Sequence, residues 1–123
     1  MLLSFLQVFQ KERIMEDINT LIKKIVKFRD ERDWEQFHNS KDLALALSVE
    51  ASELLELFLW KKNEDFNLDK LKDELADVLM YALLLADKND LDIHQIVLDK
   101  IMKNAEKYPV DKAKGNATKY NEL

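Results

Sequence analysis

The sequence predicts an all-α fold, in which four helices form a bundle that completes its core by oligomerisation. Glycine and proline each occur once in the 123 residues, which excludes the glycine-rich turns of dinucleotide-binding and P-loop folds. Apolar residues make up 47% of the chain and charged residues 35%, a composition typical of two-faced helices. Apolar residues also recur every three or four positions, which is the spacing of one helix face.

The first predicted helix runs from Glu16 to about Arg32. Its apolar face has helical spacing and comprises Ile18, Leu21, Ile22, Ile25 and Phe28. An ordered loop is predicted from there to His38, because two aromatic residues stand among polar ones in a segment too short to bury a face of its own.

A second helix is predicted from about Lys41 to Lys62, with Asn39 or Ser40 as its N-cap. Its high density of apolar residues predicts burial on most sides. A third helix carries apolar residues at alternating intervals of three and four, a seam that favours a partner helix. The seam consists of Leu68, Leu71, Leu75, Val78, Ala82 and Leu85.

The fourth predicted helix follows an N-cap at Asp92, with Gln95 three residues later, and stops at Pro109. The tail, residues 110–123, has no apolar period and is predicted to be extended. The apolar surface of these four short helices is larger than one small bundle can cover. The chain is therefore predicted to form a homo-oligomer, a tetramer or dimer rather than a monomer.

Charge and composition limit the classes of partner that the chain can bind and the location in which it acts. A net charge of -5 argues against nucleic acid and against an anionic membrane surface as partners, because both require a basic footprint. The longest apolar run, Val78 to Ala86, is about half of what a membrane-spanning helix needs. The absence of cysteine favours a reducing, cytoplasmic location. Residues 1–14 are predicted to be an N-terminal extension to a domain that spans residues 15–123.

Four acids stand in the two most apolar helices, where a core-building sequence would avoid them. Glu50 and Glu53 form one pair spaced i, i+3, and Glu74 and Asp77 form another. Two facing pairs would make a cage of oxygens that repel one another unless a cation is bound, and Mg²⁺ prefers such ligands. The alternative is that the acids lie at solvated helix rims, paired with lysines such as Lys61 or Lys72.

Two aromatic residues follow the acids at helical spacing. Trp60 lies seven residues after Glu53, and Tyr81 lies four after Asp77. They could stack on a nucleotide base or belong to the core. None of the predicted helices carries a Glu-x-x-His pair, which counts against a di-iron bundle.

The chain resembles the all-α nucleoside triphosphate pyrophosphohydrolases of the MazG type, and within them the dCTP pyrophosphatase branch. The resemblance runs from about Asp17 to Leu123. The residues that carry it are the segment Glu31–His38 (ERDWEQFH), Glu50-x-x-Glu53-x-x-Glu56-Leu57-Phe58-x-Trp60, Glu74-x-x-Asp77-Val78-Leu79-x-Tyr81, Lys107-Tyr108-Pro109 and Lys119-Tyr120-x-Glu122-Leu123.

The resemblance implies a role for each matching position. The acids Glu50, Glu53, Glu74 and Asp77 would bind Mg²⁺, and Glu50 or Glu53 would act on the attacking water. Trp34, Trp60 and Tyr81 would surround the nucleotide, and His38 is expected to bind substrate with them. Four further positions would lie near the phosphates, in part from a neighbouring subunit: Asn104, Lys107, Lys119 and Tyr120.

The resemblance implies Mg²⁺-dependent hydrolysis of a nucleoside triphosphate, dCTP or a modified dCTP, to the monophosphate and pyrophosphate. One departure concerns base preference. Related sequences have a proline, a basic residue and an asparagine after the histidine, whereas this chain has Asn39-Ser40-Lys41-Asp42. The alternative function is a non-catalytic helical interaction module, in which the seam mediates assembly and the acids only face solvent.

Overall fold

The computed structural model describes residues 17–62 and 64–123, and all regular structure within them is helical. The four long helices are α1 (Ile18–Glu31), α2 (Ser40–Glu56), α3 (Leu68–Lys88) and α4 (Ile93–Lys107). A four-residue helix, α5 (Val110–Ala113), and two 3-10 turns, Glu35–Phe37 and Tyr120–Glu122, complete the regular structure. The predicted all-α class is confirmed.

Each long helix begins at a side chain that caps its first turn. The caps are Asp17, Asn39, Asn67 and Asp92, and each side chain accepts a hydrogen bond from the backbone N–H three residues later, at 2.8–3.1 Å. These bonds satisfy N–H groups that have no partner within the helix. The predicted cap at Asp92 is confirmed, and Asn39 rather than Ser40 caps α2.

The chain divides into two compact units, the first ending at Leu91 and the second running from Asp92 to Leu123. In the first unit, α2 packs along α3, and α1 also packs against α3. The buried apolar side chains come from all three helices: Ile25, Leu43, Leu83, Leu84 and Ala86. The core of this unit therefore lies where α1 and α2 meet α3.

Helix α2 differs from its prediction in length and in burial. It ends at Glu56 instead of Lys62, and turns follow it. Three of its apolar side chains, Leu45, Val49 and Leu55, are 55–60% exposed. Apolar density predicts that a helix needs covering, but the described chain packs α2 mainly against α3 and leaves its other faces open.

The structure differs in part from the predictions for the seam on α3 and for the tail, residues 110–123. Of the seam predicted on α3, Leu68 and Leu75 are exposed in the described chain. The tail is not extended throughout, because α5 and the second 3-10 turn form within it. The carbonyl of Pro109 accepts the N–H of Ala113 at 2.9 Å, and one such local turn requires no apolar period.

No helix in the described residues is both long and apolar enough to cross a membrane. The predicted N-terminal extension, residues 1–14, lies outside the described residues, so the predicted domain boundary stays a prediction.

Candidate active site

The structure brings the four predicted acids together. Glu50 and Glu53 come from α2, and Glu74 and Asp77 come from α3, which packs along it. Carboxylate oxygens of Glu50, Glu74 and Asp77 lie within 4.8 Å of one another. The side chain of Glu53 interacts with those of Glu50 and Glu74, and this interaction contributes to the raised pKa of both carboxyl groups. We call these four residues the carboxylate cluster.

Crowding of the acids changes their proton affinity. Burial raises the pKa of Glu50 to about 7, assisted by the hydrogen bond to Glu53 and by the charges of Glu53, Asp77 and Glu74. Burial likewise raises the pKa of Glu74, with Glu53, Asp77 and Asp73 adding to the effect. The cluster therefore resists full ionisation on its own.

The cluster fits a divalent cation. Glu50 Oε2 and Glu74 Oε2 are buried and have no hydrogen-bond partner among the described residues. Neither Lys61 nor Lys72 forms an ion pair with these acids in the described part of the chain, so the alternative of solvated, lysine-paired acids is not supported. Converging carboxylate oxygens without cationic partners are the donor set of a hard divalent ion.

A pocket of about 420 Å³ borders the cluster at Asp77 and is lined by three predicted substrate-binding residues, Trp34, His38 and Tyr81. Its size falls within the range of small-ligand sites. Aromatic side chains on its walls can stack on a flat ring. We call it the aromatic pocket.

The loop after α1 places Trp34 in this pocket. Trp34 donates its backbone N–H to the carbonyl of Arg29 at 3.2 Å, and Asp33 adopts a φ of 54°, which turns the chain back. The Trp34 ring meets Phe28 edge to face, with ring centroids 5.8 Å apart. The turn therefore holds the indole beside the end of α1.

Two polar groups in the aromatic pocket have pKa values that are shifted in favour of their neutral forms. Burial and the charge of Arg29 lower the pKa of His38, against the opposing effect of Glu35, and its Nδ1 is buried without a partner among the described residues. Burial raises the pKa of Tyr81, and the charges of Glu50 and Asp77 raise it further. A neutral imidazole and a phenol can each give or accept a hydrogen bond.

Trp60 does not join the other predicted aromatic residues. It lies in the turns after α2, with a φ of 63°, and its side chain is fully exposed at 101%. Because α2 ends at Glu56, the helical spacing that aligned Trp60 with Glu53 does not hold. Its contact with the nucleotide stays a prediction.

Arg29 lines the aromatic pocket but was not among the predicted site residues. It is only 7% exposed, and its Nη2 lies 2.8 Å from Asp30 and 3.8 Å from Glu35, while Nη1 lies 3.8 Å from Asp87. It stands four residues after Ile25, on the buried face of α1. That spacing is the signal that could have identified it.

The remaining predicted residues lie in the second unit. Lys107 Nζ lies 4.8 Å from the ring centroid of Tyr120, and the rings of Tyr108 and Tyr120 meet edge to face at 6.0 Å. Asn104 lies one turn before Lys107 on α4, and Lys119 directly precedes Tyr120. Their contact with phosphates stays a prediction.

Known proteins resemble this chain over most of its length. A sequence profile of the MazG-like family matches residues 45–123. The dCTP pyrophosphatase 1 of Bos taurus is 41% identical over 123 positions, which cover 94% of this chain and 71% of that protein. The dCTP pyrophosphatase 1 of Homo sapiens is 39% identical over the same shares.

A solved structure agrees with these similarities. A pyrophosphatase from Archaeoglobus fulgidus superposes with a TM-score of 0.71 and 35% identity, and the match covers 75% of this chain and 92% of the archaeal chain. The carboxylate cluster thus lies in a fold that a pyrophosphatase also has. The sequence profile and the relatives together show that this chain belongs to the MazG-like family.

Proposed function

We propose that this chain, a nucleoside triphosphate pyrophosphohydrolase by its relationships, hydrolyses dCTP or a base-modified dCTP to the monophosphate and pyrophosphate with Mg²⁺. The observation that carries the proposal is that Asp77 belongs both to the carboxylate cluster and to the wall of the aromatic pocket. A nucleotide bound with its base in the pocket would have its phosphates beside the cluster.

In this proposal, different residues would bind the base and the metal ion. Trp34 and Tyr81 would hold the base between aromatic surfaces, and neutral His38 would hydrogen bond to it. The carboxylate cluster would hold Mg²⁺, which offsets negative charge on the phosphate oxygens when bound.

Hydrolysis would form a bond from a water oxygen to the α-phosphorus and break the bond from that phosphorus to the oxygen bridging to the β-phosphate. Glu50 or Glu53 would orient the water and accept its proton. The diphosphate leaves with the bridging oxygen. Positioning and charge neutralisation supply most of the catalysis in phosphoryl transfer.

The proposed substrate belongs to the free nucleotide pool, and we expect the enzyme to act in the cytoplasm.

The test of the proposed activity is pyrophosphate release from a panel that contains dCTP, 5-methyl-dCTP, dUTP, dTTP and dATP, with Mg²⁺ and with chelator. We expect metal-dependent release that is fastest with a cytosine nucleotide. Release from dATP at the same rate would contradict the proposed base preference, and no release from any nucleotide would contradict the activity.

Exposed apolar side chains on α2 favour a second candidate, a non-catalytic helical interaction module. The same panel separates the two candidates, because such a module would assemble without releasing pyrophosphate. The buried, unpaired oxygens of Glu50 and Glu74 favour the enzyme.

A further inference from the structure

A groove of about 620 Å³ adjoins the carboxylate cluster within the first unit, and two lysines, Lys61 and Lys70, line it. Glu53 and Glu74 of the cluster line the same groove, as does Glu56, one turn after Glu53 on α2. We call it the lysine groove. In the sequence, Lys61 stands out only as a candidate ion-pair partner of the acids, and Lys70 does not stand out at all.

Neither lysine has a counter-ion among the residues that the structure describes. Although three glutamates line the groove, neither ammonium group forms an ion pair within residues 17–62 and 64–123. Their positive charges are therefore available to a ligand. A cation bound by the carboxylate cluster would reduce the repulsion that the glutamates exert on an anion in the groove.

The lysine groove, the cluster and the aromatic pocket follow one another along α3. Lys70, Glu74, Asp77 and Tyr81 are spaced by four, three and four residues, which places them on one face of the helix. At 1.5 Å per residue, about 16 Å of helix axis separates Lys70 from Tyr81. A nucleoside triphosphate has three parts in the corresponding order, with the terminal diphosphate at the groove, the α-phosphate at the cluster and the base in the pocket.

We infer that Lys61 and Lys70 bind the terminal diphosphate of the nucleotide, which is the leaving group of the hydrolysis. This inference rests on the proposed function and adds the location of its product. Lysine suits the task, because its ammonium group is a compact charge with three donors and a common ligand of phosphate. Two lysines on separate segments can contact different oxygens of the diphosphate.

The test uses the full chain and the variants Lys61→Met and Lys70→Met. The control is Lys72→Met, since Lys72 lies on the same helix and is exposed but does not line the groove. Inhibition by inorganic diphosphate and by dCMP is measured with Mg²⁺ present, and diphosphate binding is measured by calorimetry without substrate. We expect diphosphate affinity to fall about tenfold in each groove variant. The affinity for dCMP and the control should change less than about twofold.

Three results would overturn the inference alone while the wild-type chain still releases pyrophosphate. Diphosphate affinity could stay unchanged in both groove variants, fall equally in Lys72→Met, or fall no more than dCMP affinity does. A Lys107→Met variant adds a further arm, because a loss of diphosphate affinity in it and not in the groove variants would place the diphosphate at the second unit. Failure of the wild-type chain to hydrolyse any nucleotide would overturn the proposed function itself.

Discussion

Asp77 connects the two parts of the candidate active site, since it contributes a carboxylate to the cluster and a wall to the aromatic pocket. Glu53 acts on two of the other acids, because it contributes to the raised pKa of both Glu50 and Glu74. Both residues are therefore suited to a test that removes charge and retains shape.

We predict that Glu53→Gln and Asp77→Asn each lower Mg²⁺-dependent hydrolysis by about 100-fold or more, because a group that stabilises developing charge is lost. Helical content should not change. In metal-free protein each variant should melt at a higher temperature than wild type, because repulsion within the cluster is relieved. Steady-state kinetics, circular dichroism and calorimetry measure these effects.

The matched control for these variants is Asp73→Asn, an exposed acid on α3 outside the cluster. It should retain activity within about twofold. Full activity in Glu53→Gln or Asp77→Asn would show that the cluster does not hold the metal.

The raised pKa of Glu50, about 7, predicts how the stability of metal-free protein depends on pH. A carboxyl group with a raised pKa in the folded state contributes stability below its ordinary pKa and loses that contribution as pH rises. The free energy of unfolding should therefore fall between about pH 4.5 and pH 7. Urea unfolding at a series of pH values, with chelator present, measures this.

Addition of Mg²⁺ should reverse this trend, because the ion binds the ionised cluster. At a free concentration 100 times its Kd, it would stabilise the fold by about 2.7 kcal/mol. The Asp77→Asn variant should show a weaker decrease with pH, since Asp77 is one of the charges that raise the pKa of Glu50. Equal slopes in the variant and wild type would argue against charge crowding as the cause.

At the scale of elements, α3 carries most of the site. Lys70, Glu74, Asp77 and Tyr81 all belong to it, and its first turn is capped by Asn67, which accepts the N–H of Lys70 at 3.1 Å. The start of α3 thus lies at the lysine groove, which Asn67 also lines, and about two turns before Glu74. Fraying of this end would disturb both.

We predict that Asn67→Ala lowers the free energy of unfolding by about 1 kcal/mol, the usual effect of losing an N-cap. It should also weaken diphosphate binding, because the first turn positions Lys70. Asn67→Ser, which retains a capping oxygen, should restore both properties. Urea unfolding and calorimetry provide the measurements. Equal losses in the alanine and serine variants would show that the cap is not the cause.

At the scale of the whole molecule, the exposed apolar side chains on α2 require an explanation. Leu45, Val49 and Leu55 are more than half exposed in the described chain. Single exposed apolar residues are common, but several on one helix indicate a contact with another chain. The predicted homo-oligomer would provide that cover.

We predict that light scattering at micromolar concentration gives a mass two or four times the 14.5 kDa of the chain. Val49→Lys should shift the mass toward the monomer, because it places a charge in the covered face. Lys41→Met, an exposed change near the start of the same helix, serves as the control. An active enzyme of 14.5 kDa would contradict the prediction.

Features that depend on near neighbours along the chain could be predicted from the sequence. The N-cap at Asp92 follows from one side chain and a backbone group three residues away. The pairing of Glu50 with Glu53, and of Glu74 with Asp77, follows from the helical repeat. The resemblance of the motifs to MazG-type enzymes pointed to the family, which the comparisons confirm.

Features that depend on packing between distant segments required the tertiary structure. The sequence does not show that α2 ends at Glu56, which removes Trp60 from the line of the acids. Nor does it show that the turn at Asp33 brings Trp34 to the pocket that Asp77 also lines. Nor does it show which acids surround Arg29, since Glu35 and Asp87 become its neighbours only when α1, the loop and α3 pack together. Spacing along one helix determines which residues share a face, and only packing determines what that face meets.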